Sequence, residues 1–330
     1  MSSLLARLID RTGLSWYRFT AIVTLTLFFL AFATAYLDGI WDQFFSADHW
    51  RTMLFAPVIM AYMLSIIPPL GESSERAIAA LRPYVPLDDK AFAQLLRSES
   101  GTTPRGEWIA LAVGAVGGFL PLAPWAGGEG FAWIAVYWYV ANPVVMSLLA
   151  WCIYVAFASS KPVAVIHRHL SDIDPFDLSP FEPVGRQGLV SSLAFVGGGA
   201  LSVLFQLGDQ DLLESSSLIA HGALILIAVF VFFHTMRHTH RVLSQAKAQE
   251  LGTVRQHIVA AYRSVAGLAP GSQELSTLST KLGFWQEYEK RVKATRTWPY
   301  DLGMLRTLFL SVLTPVAINL VQRLIGLLFS

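Results

Sequence analysis

The sequence predicts an all-α, polytopic membrane protein with seven transmembrane helices. Its N-terminus is expected to be cytoplasmic and its C-terminus external, with a cytoplasmic helical hairpin before the last span. Three observations predict this. Of 330 residues, 54% are hydrophobic and only 14% charged, at a mean hydropathy of +0.50, whereas a soluble domain carries about 25% charged residues. The charges clump and leave seven apolar windows, near 19–36, 52–69, 108–124, 131–157, 187–207, 215–235 and 304–328. Windows of roughly 17–25 residues suit about 30 Å of hydrocarbon. Finally, all of the 24 Lys and Arg except Arg51 and Arg323 fall in alternate connecting segments, the asymmetry that places those segments in the cytoplasm.

A basic leader with Arg7, Arg11 and Arg18 precedes the first span. "ATA" at 33–35 resembles a signal-peptidase site. The long leader and the length of the apolar run favour a retained span instead. An acidic connection (Asp38, Asp42, Asp48) leads to the second span, and a basic one (Arg76, Arg82, Lys90, Arg97, Arg105) leads to the third. The third window is short. The fourth is long and is expected to extend beyond the bilayer, with Asn142-Pro143 a place where it could be interrupted. "GAVGG" at 114–118 and "GGGA" at 197–200 permit close approach of helices.

No helix breaker follows the sixth window, so that helix is expected to run on past the bilayer. Leu251, Val254, Ile258, Ala261, Tyr262 and Val265 recur at steps of three and four and make one apolar face. "GLAPGS" at 267–272 ends it. A second amphipathic helix follows, with Leu275, Leu278, Leu282, Trp285 and Val292 on one side. The two stripes could pack on each other, on the inner extension of the fourth span, or on neighbouring subunits. Three units result: a membrane bundle of six spans (1–235), a helical hairpin (236–298), and the last span (299–330), for which Pro299 suits the first turn.

The last span carries a polar stripe. At 100° per residue, Thr307, Ser311, Thr314, Asn319, Gln322 and Gly326 fall within an arc of roughly 140°. Lipid cannot satisfy hydroxyls and amides, so the stripe is expected to face protein or water. It either glues helices together or lines an aqueous path, with Ser311, Thr314, Asn319 and Gln322 as pore-lining residues.

This layout resembles the seven-transmembrane ion channels typified by insect odorant and gustatory receptors. Those proteins have long inner helical extensions forming a cytoplasmic anchor and a final helix that lines a central pore. The family's last helix carries Thr-Tyr, five apolar residues, then Gln-Phe. Here Gln322 matches, while Pro315 and Val316 occupy the Thr-Tyr places, Asn319 interrupts the apolar five, and Arg323 replaces Phe. The resemblance implies a homotetramer around one ion-conducting pore. A ring of Arg323 facing that pore would disfavour cations. "AKAQEL" followed by "TWPYDLGMLR" is also similar to segments of bacterial multi-pass membrane proteins that bring no known activity with them.

His234 and His238 share a helix face at the spacing of a two-ligand metal pair, with His240 pointing elsewhere. Arg237 and Arg241 beside them favour plain interfacial residues, and no metal site is assigned. The segment 167–188 holds His167, His169, Asp172, Asp174 and Asp177 among three prolines. It reads as a rigid connector, as a set of acids facing the basic hairpin, or as a metal site. Trp133, Tyr137 and Trp138 crowd the external end of the fourth span, with His221 in the outer part of the sixth. They form an aromatic belt or, alternatively, a pocket for a small apolar ligand.

The single cysteine, Cys152, excludes an intrachain disulfide. A net charge of +1 without a basic stripe gives no reason to expect nucleic acid. No nucleotide loop, catalytic triad or HExxH is present, so neither an enzyme nor a cofactor is expected. The expected partners are the lipid bilayer, further copies of the chain and a small apolar ligand. The expected location is the plasma membrane, which in a bacterium is the inner membrane. The leading function is a homo-oligomeric ion channel, chemoreceptor-like in layout. The alternatives are a signalling or scaffold subunit that binds a partner through the hairpin, and a secondary transporter.

Overall fold

The structure is a computed structural model. It describes residues 3–42, 49–98, 101–122, 132–170, 174, 176–205, 215–265, 273–298 and 302–329. Side chains are described for these except at 49, 52, 121, 215–218, 220, 265, 275, 302, 315, 316, 318–320 and 322–329. Among the described residues every regular element is helical: α1 (Leu4–Thr12), α2 (Trp16–Leu37), α3 (His49–Leu81), α4 (Asp89–Ser98), α5 (Pro104–Phe119), α6 (Trp133–Ala158), α7 (Ser160–His167), α8 (Glu182–Phe205), α9 (Ser215–Val265), α10 (Gln273–Ala294) and α11 (Leu302–Phe329). Short 3-10 turns lie at Arg82–Tyr84, Leu120–Leu122 and Ser179–Phe181.

Five of these segments are long and apolar enough to cross a membrane: Trp16–Leu37, Met53–Tyr84, Trp133–His167, Ser179–Phe205 and His221–Ser264. They are compatible with a multi-pass membrane protein. The expectation of seven spans is met in part. Helix α5 has 16 residues, about 24 Å at 1.5 Å per residue, which is short for a span. Helix α11 has 28 residues, of which Gly303–Thr314 is a shorter apolar stretch among those described.

The local sequence explains the ends. Ser3 caps α1 by accepting from the Ala6 amide, and Gly13 closes that helix in the left-handed region at φ 66°. Thr103 caps α5 by accepting from the Gly106 amide, with Pro104 in the first turn. Helix α3 does not stop at Pro57 or at Pro68-Pro69 but continues to Leu81. Helix α6 likewise continues through Pro143, so Asn142-Pro143 is no interruption.

Packing places the basic connections at one end of the bundle. There Ala77, Leu81, Val85 and Phe92 share a core with Val163, Ile166, Phe181, Val184 and Leu243. Arg82 bridges α3 to α4, donating to Asp89 at 2.7 Å and to the carbonyls of Val85 and Leu87. At the far end Asp38 accepts from the amides of Trp133 and Ile134 and so caps α6 from a neighbouring helix. The core between these ends comes from α2, α3 and α6, with Leu27, Ala31, Met60, Leu64, Tyr137 and Trp151 at its centre.

Helix α5 packs on α6 through the predicted glycines. A Cβ at Gly118 would lie 2.7 Å from the Asn142 carbonyl oxygen, and one at Gly114 would overlap the Met146 backbone. The Asn142 side chain donates to the Gly118 carbonyl at 2.7 Å and Ser147 to the Leu111 carbonyl at 3.0 Å, so polar groups reinforce the close approach.

The expected long helix is present. Helix α9 runs unbroken for 51 residues, about 77 Å, and α10 folds back against its distal half. The two stripes pack on each other, with Val254, Ala261 and Val292 buried. Tyr262, predicted on the apolar face, is exposed and accepts a hydrogen bond from Gln286. The Lys247 ammonium donates to the carbonyls of Lys293 and Thr295 at 2.6 and 2.8 Å, neutralising the C-terminal end of α10. His240 stacks on Trp298 at 4.0 Å, and His257 on Trp285 at 4.4 Å.

A candidate functional site: a cavity along the bundle

A cavity of about 1100 Å³ lies between α3 and α6 on one side and α8 and α9 on the other. It follows α3 from Phe55 to Arg82, about 40 Å of helix. Its middle is apolar, lined by Ile59, Met63, Ile66, Leu149, Cys152 and Phe195. Small residues on α8 create the space, and Tyr62 divides it. The Tyr62 hydroxyl donates to the Ala194 carbonyl at 2.8 Å. A Cβ at Gly197 would collide with that hydroxyl, while one at Gly198 would stand 3.5 Å from the ring. Glycine at 197 is therefore what lets the tyrosine cross from α3 to α8.

The cavity is floored by the N-terminal helix. Ser3 and Ala6 of α1 line it, and Ile9 is buried beneath the bundle. One polar side chain fastens α1 there, beside the packing of Leu5 against the core. Glu107, only 1% exposed, accepts on a single carboxyl oxygen from the Leu4 amide at 2.6 Å and from the Trp151 indole at 3.1 Å. The Leu4 amide is one of the unpaired donors of a helix N-terminus, where an acidic group is favoured. Trp151 is itself a cavity wall. An acidic residue buried in a bundle of this kind marks a functional candidate.

The residues expected to form a ligand pocket do not gather. His221 lines the cavity. Tyr137 is instead wholly buried in the α2–α3–α6 core, where its hydroxyl donates to the Met53 carbonyl. Trp138 packs edge-on against Tyr137 at 5.1 Å. Trp133 is exposed at the start of α6. Bulk and a hydrogen bond to backbone make Tyr137 a structural anchor.

The polar stripe of α11 is partly described. Met304 and Leu308 are buried, Leu308 in one cluster with Phe232 and Met236 of α9. Thr307 and Thr314 are exposed and Ser311 is half-buried. The hydroxyls of Thr307 and Thr314 donate to the carbonyls of Gly303 and Leu310 one turn earlier. The side chains of Asn319 and Gln322 lie outside those described.

The histidines take aromatic and polar neighbours. His234 meets Phe157 edge-on at 5.2 Å, and His238 accepts from the Arg237 side chain at 3.3 Å. Among the described residues no three His, Cys, Asp or Glu gather as a metal site would require. In the connector, the described acids bond within their own segment rather than to the hairpin. Asp174 accepts from the Phe176 amide and Asp177 from the Ser179 amide and hydroxyl. The Ser179 hydroxyl, and then its amide, hold the Asp177 carboxyl below its ordinary range. Contact with the hairpin is made by Phe176 against Tyr288 at 5.7 Å.

Glu107 went unread in the sequence. Its signal was present: an acid standing between Arg105 and a charge-free run to residue 124. The cavity itself has no such signal, because a gap leaves no residue type behind it.

The comparisons add no relative: no family model, curated protein or solved structure matches the chain.

Proposed function

We propose that the protein is a subunit of a homo-oligomeric membrane channel, with seven spans, a cytoplasmic hairpin, and a last helix that lines a path shared between copies. The observation that carries this reading is the one-sided attachment of α11. Among its described side chains Leu305, Leu308 and Val312 pack against the bundle and Met304 is buried, while Thr307 and Thr314 remain uncovered within one chain. Over its described side chains α11 is held along one side, and an open side that carries hydroxyls beside the exposed Leu310 and Leu313 suits a symmetric interface around an axis. The basic residues gathered at the hairpin end support a cytoplasmic placement of that end. The intrabundle cavity serves as the ligand site that biases the channel between states. A tetramer follows the layout that the chain resembles.

Reconstitution of the purified protein into planar bilayers tests this reading, with the oligomeric state measured by native mass spectrometry. Single-channel currents from a ring of copies are expected, and a non-conducting monomer would end the proposal.

A second reading has its own observation. Val259, Tyr262 and Phe284 are exposed on the hairpin, beyond the reach of the apolar bundle, and such residues suit a docked partner. In that reading the protein is a scaffold subunit, and the bilayer carries no current.

A further inference from the structure

We propose that the cavity is a binding site for a single-chain amphiphile, such as a long-chain fatty acid, with its polar head at the α1 end, its tail threaded toward His221, and α1 as the door held shut by Glu107. The inference rests on reading the cavity as the ligand site, and it names the ligand class.

Shape comes first. The cavity of about 1100 Å³ is drawn out along some 40 Å of α3. An elongated space of this kind suits an extended hydrocarbon chain. Chemistry follows the same axis. The carboxyl and guanidinium groups of the lining, Glu75 and Arg82, lie at the α1 end with Ser3, Ser74 and Thr102, and the walls beyond Ile67 are mainly aliphatic and aromatic, with Tyr62, Ser191, Ser202 and His221 the polar side chains among them. A chain drawn from a bilayer gains nothing from apolarity alone, because lipid is equally apolar. Retention therefore depends on fit along the thread and on polar contacts to the head.

The door is a separate observation. Residues Ser3 and Ala6 close the polar end of the cavity, and α1 is fastened through the Leu4 amide to Glu107. The same oxygen holds Trp151, so the fastening and the wall share one group. Release of the Leu4 bond removes the polar tie of α1 and leaves the packing of Leu5 against the core and the burial of Ile9 as its remaining hold.

Photolabelling tests the proposal on the full chain in phosphatidylcholine nanodiscs. The probe is palmitate bearing a diazirine in its tail, with adducts located by mass spectrometry. Adducts are expected on Met63, Cys152, Phe195 or Ile227. They are expected to fall on the order of tenfold in Gly198→Leu, as a loss of about 1.4 kcal/mol in affinity would give. That variant places a branched side chain beside Tyr62 and Ile59. If it does not fold, Leu149→Trp fills the same space from α6. Adducts confined to outward-facing residues such as Phe29 and Trp108, or undiminished in a folded filled variant, overturn the site. Labelling in Glu107→Leu is expected to proceed several-fold faster, on the scale of one lost buried hydrogen bond, and an unchanged rate overturns the door. Lipid extracted from the purified protein separates the sources. A free single-chain acid in stoichiometric amount supports the site, and stoichiometric recovery of only a diacyl lipid or a compact polycyclic molecule overturns it. No current is needed for any of these measurements. Failure here with intact conductance removes the ligand class alone, and success here without conductance removes the channel alone.

Discussion

The indole N–H of Trp151 donates across 3.1 Å to the carboxyl of Glu107, which is only 1% exposed. Two helices meet at this bond, α6 from the core and α5 from the bundle's edge, and the Leu4 amide of α1 joins them on the same oxygen. The acid thus ties three elements together at the hairpin end.

Replacing Glu107 with Leu leaves two buried donors unpaired. The expected loss is about 1–3 kcal/mol per stranded group, seen as a lower melting temperature in detergent. Glu107→Gln keeps an acceptor and is expected to lose less. Trypsin should cut faster at Arg7 or Arg11 in Glu107→Leu, because α1 is released. Wild-type cleavage rates in that variant would contradict the tether.

Gly118→Val drives a branched side chain into the Asn142 backbone, which a helix cannot yield cheaply. A loss of roughly 1–3 kcal/mol is expected from overpacking, with separation of α5 from α6. Gly117 faces open space, so Gly117→Val in the next position is the control and should cost far less. Equal melting temperatures for the two variants would show that α5 is not seated as described.

The hairpin carries an acid-sensitive contact. Glu289 sits beside Lys293 at 2.8 Å and Arg255 at 3.5 Å. A hydrogen bond from Lys293, ahead of the Arg255 contact, holds its carboxyl below the ordinary value of 4.5. A carboxyl with a depressed folded value stabilises above its unfolded value and loses that contribution as pH falls through the folded one. Hydrogen exchange in α9 and α10 should therefore be flat from neutral pH down to about 4.5 and accelerate below it, beyond the intrinsic pH effect. Glu289→Gln should flatten the acid limb. The effect is small, because the pair is solvent-screened, and identical acid limbs in both proteins would refute the assignment.

Much of this fold was legible from periodicity and punctuation. The long α9 could be read because no Gly-Pro cluster interrupts residues 215–265 and because Val254 and Ala261 recur on the packed face. The glycines at 114 and 118 pointed to a close helix approach without naming the partner, which is α6, since only a missing Cβ admits backbone that close. The second apolar window ends at 69, yet α3 continues through Pro68-Pro69 a further three turns to Leu81. Packing of Ala77 and Leu81 against α7, α8 and α9 holds the helix past its missing donors. The amphipathic α1 and α4 were hidden inside basic connections, where charge draws attention away from buried Ile9 and Phe92.

The candidate site was less legible. The expected His221 does line the cavity, but Trp133, Tyr137 and Trp138 point to a pocket only through their crowding at one end of a span. Bulk serves a core as well as a pocket, and Tyr137 serves the core. What makes the cavity is absence of bulk, at Ala194 and Gly198, and small residues alone read equally well as helix contacts.

The central claim is that the open side of α11 lines a shared aqueous path. Its most direct test is conductance after cysteine substitution at Thr307, Ser311 and Thr314, each in a Cys152→Ser background and reconstituted in bilayers. The account predicts that a charged, water-soluble thiol reagent reduces current through Thr307→Cys and Thr314→Cys, with a smaller effect on half-buried Ser311→Cys, and spares the exposed Phe309→Cys on the opposite side. Currents blocked through Phe309→Cys and untouched at both threonine positions, or no current from any of these proteins, would contradict it.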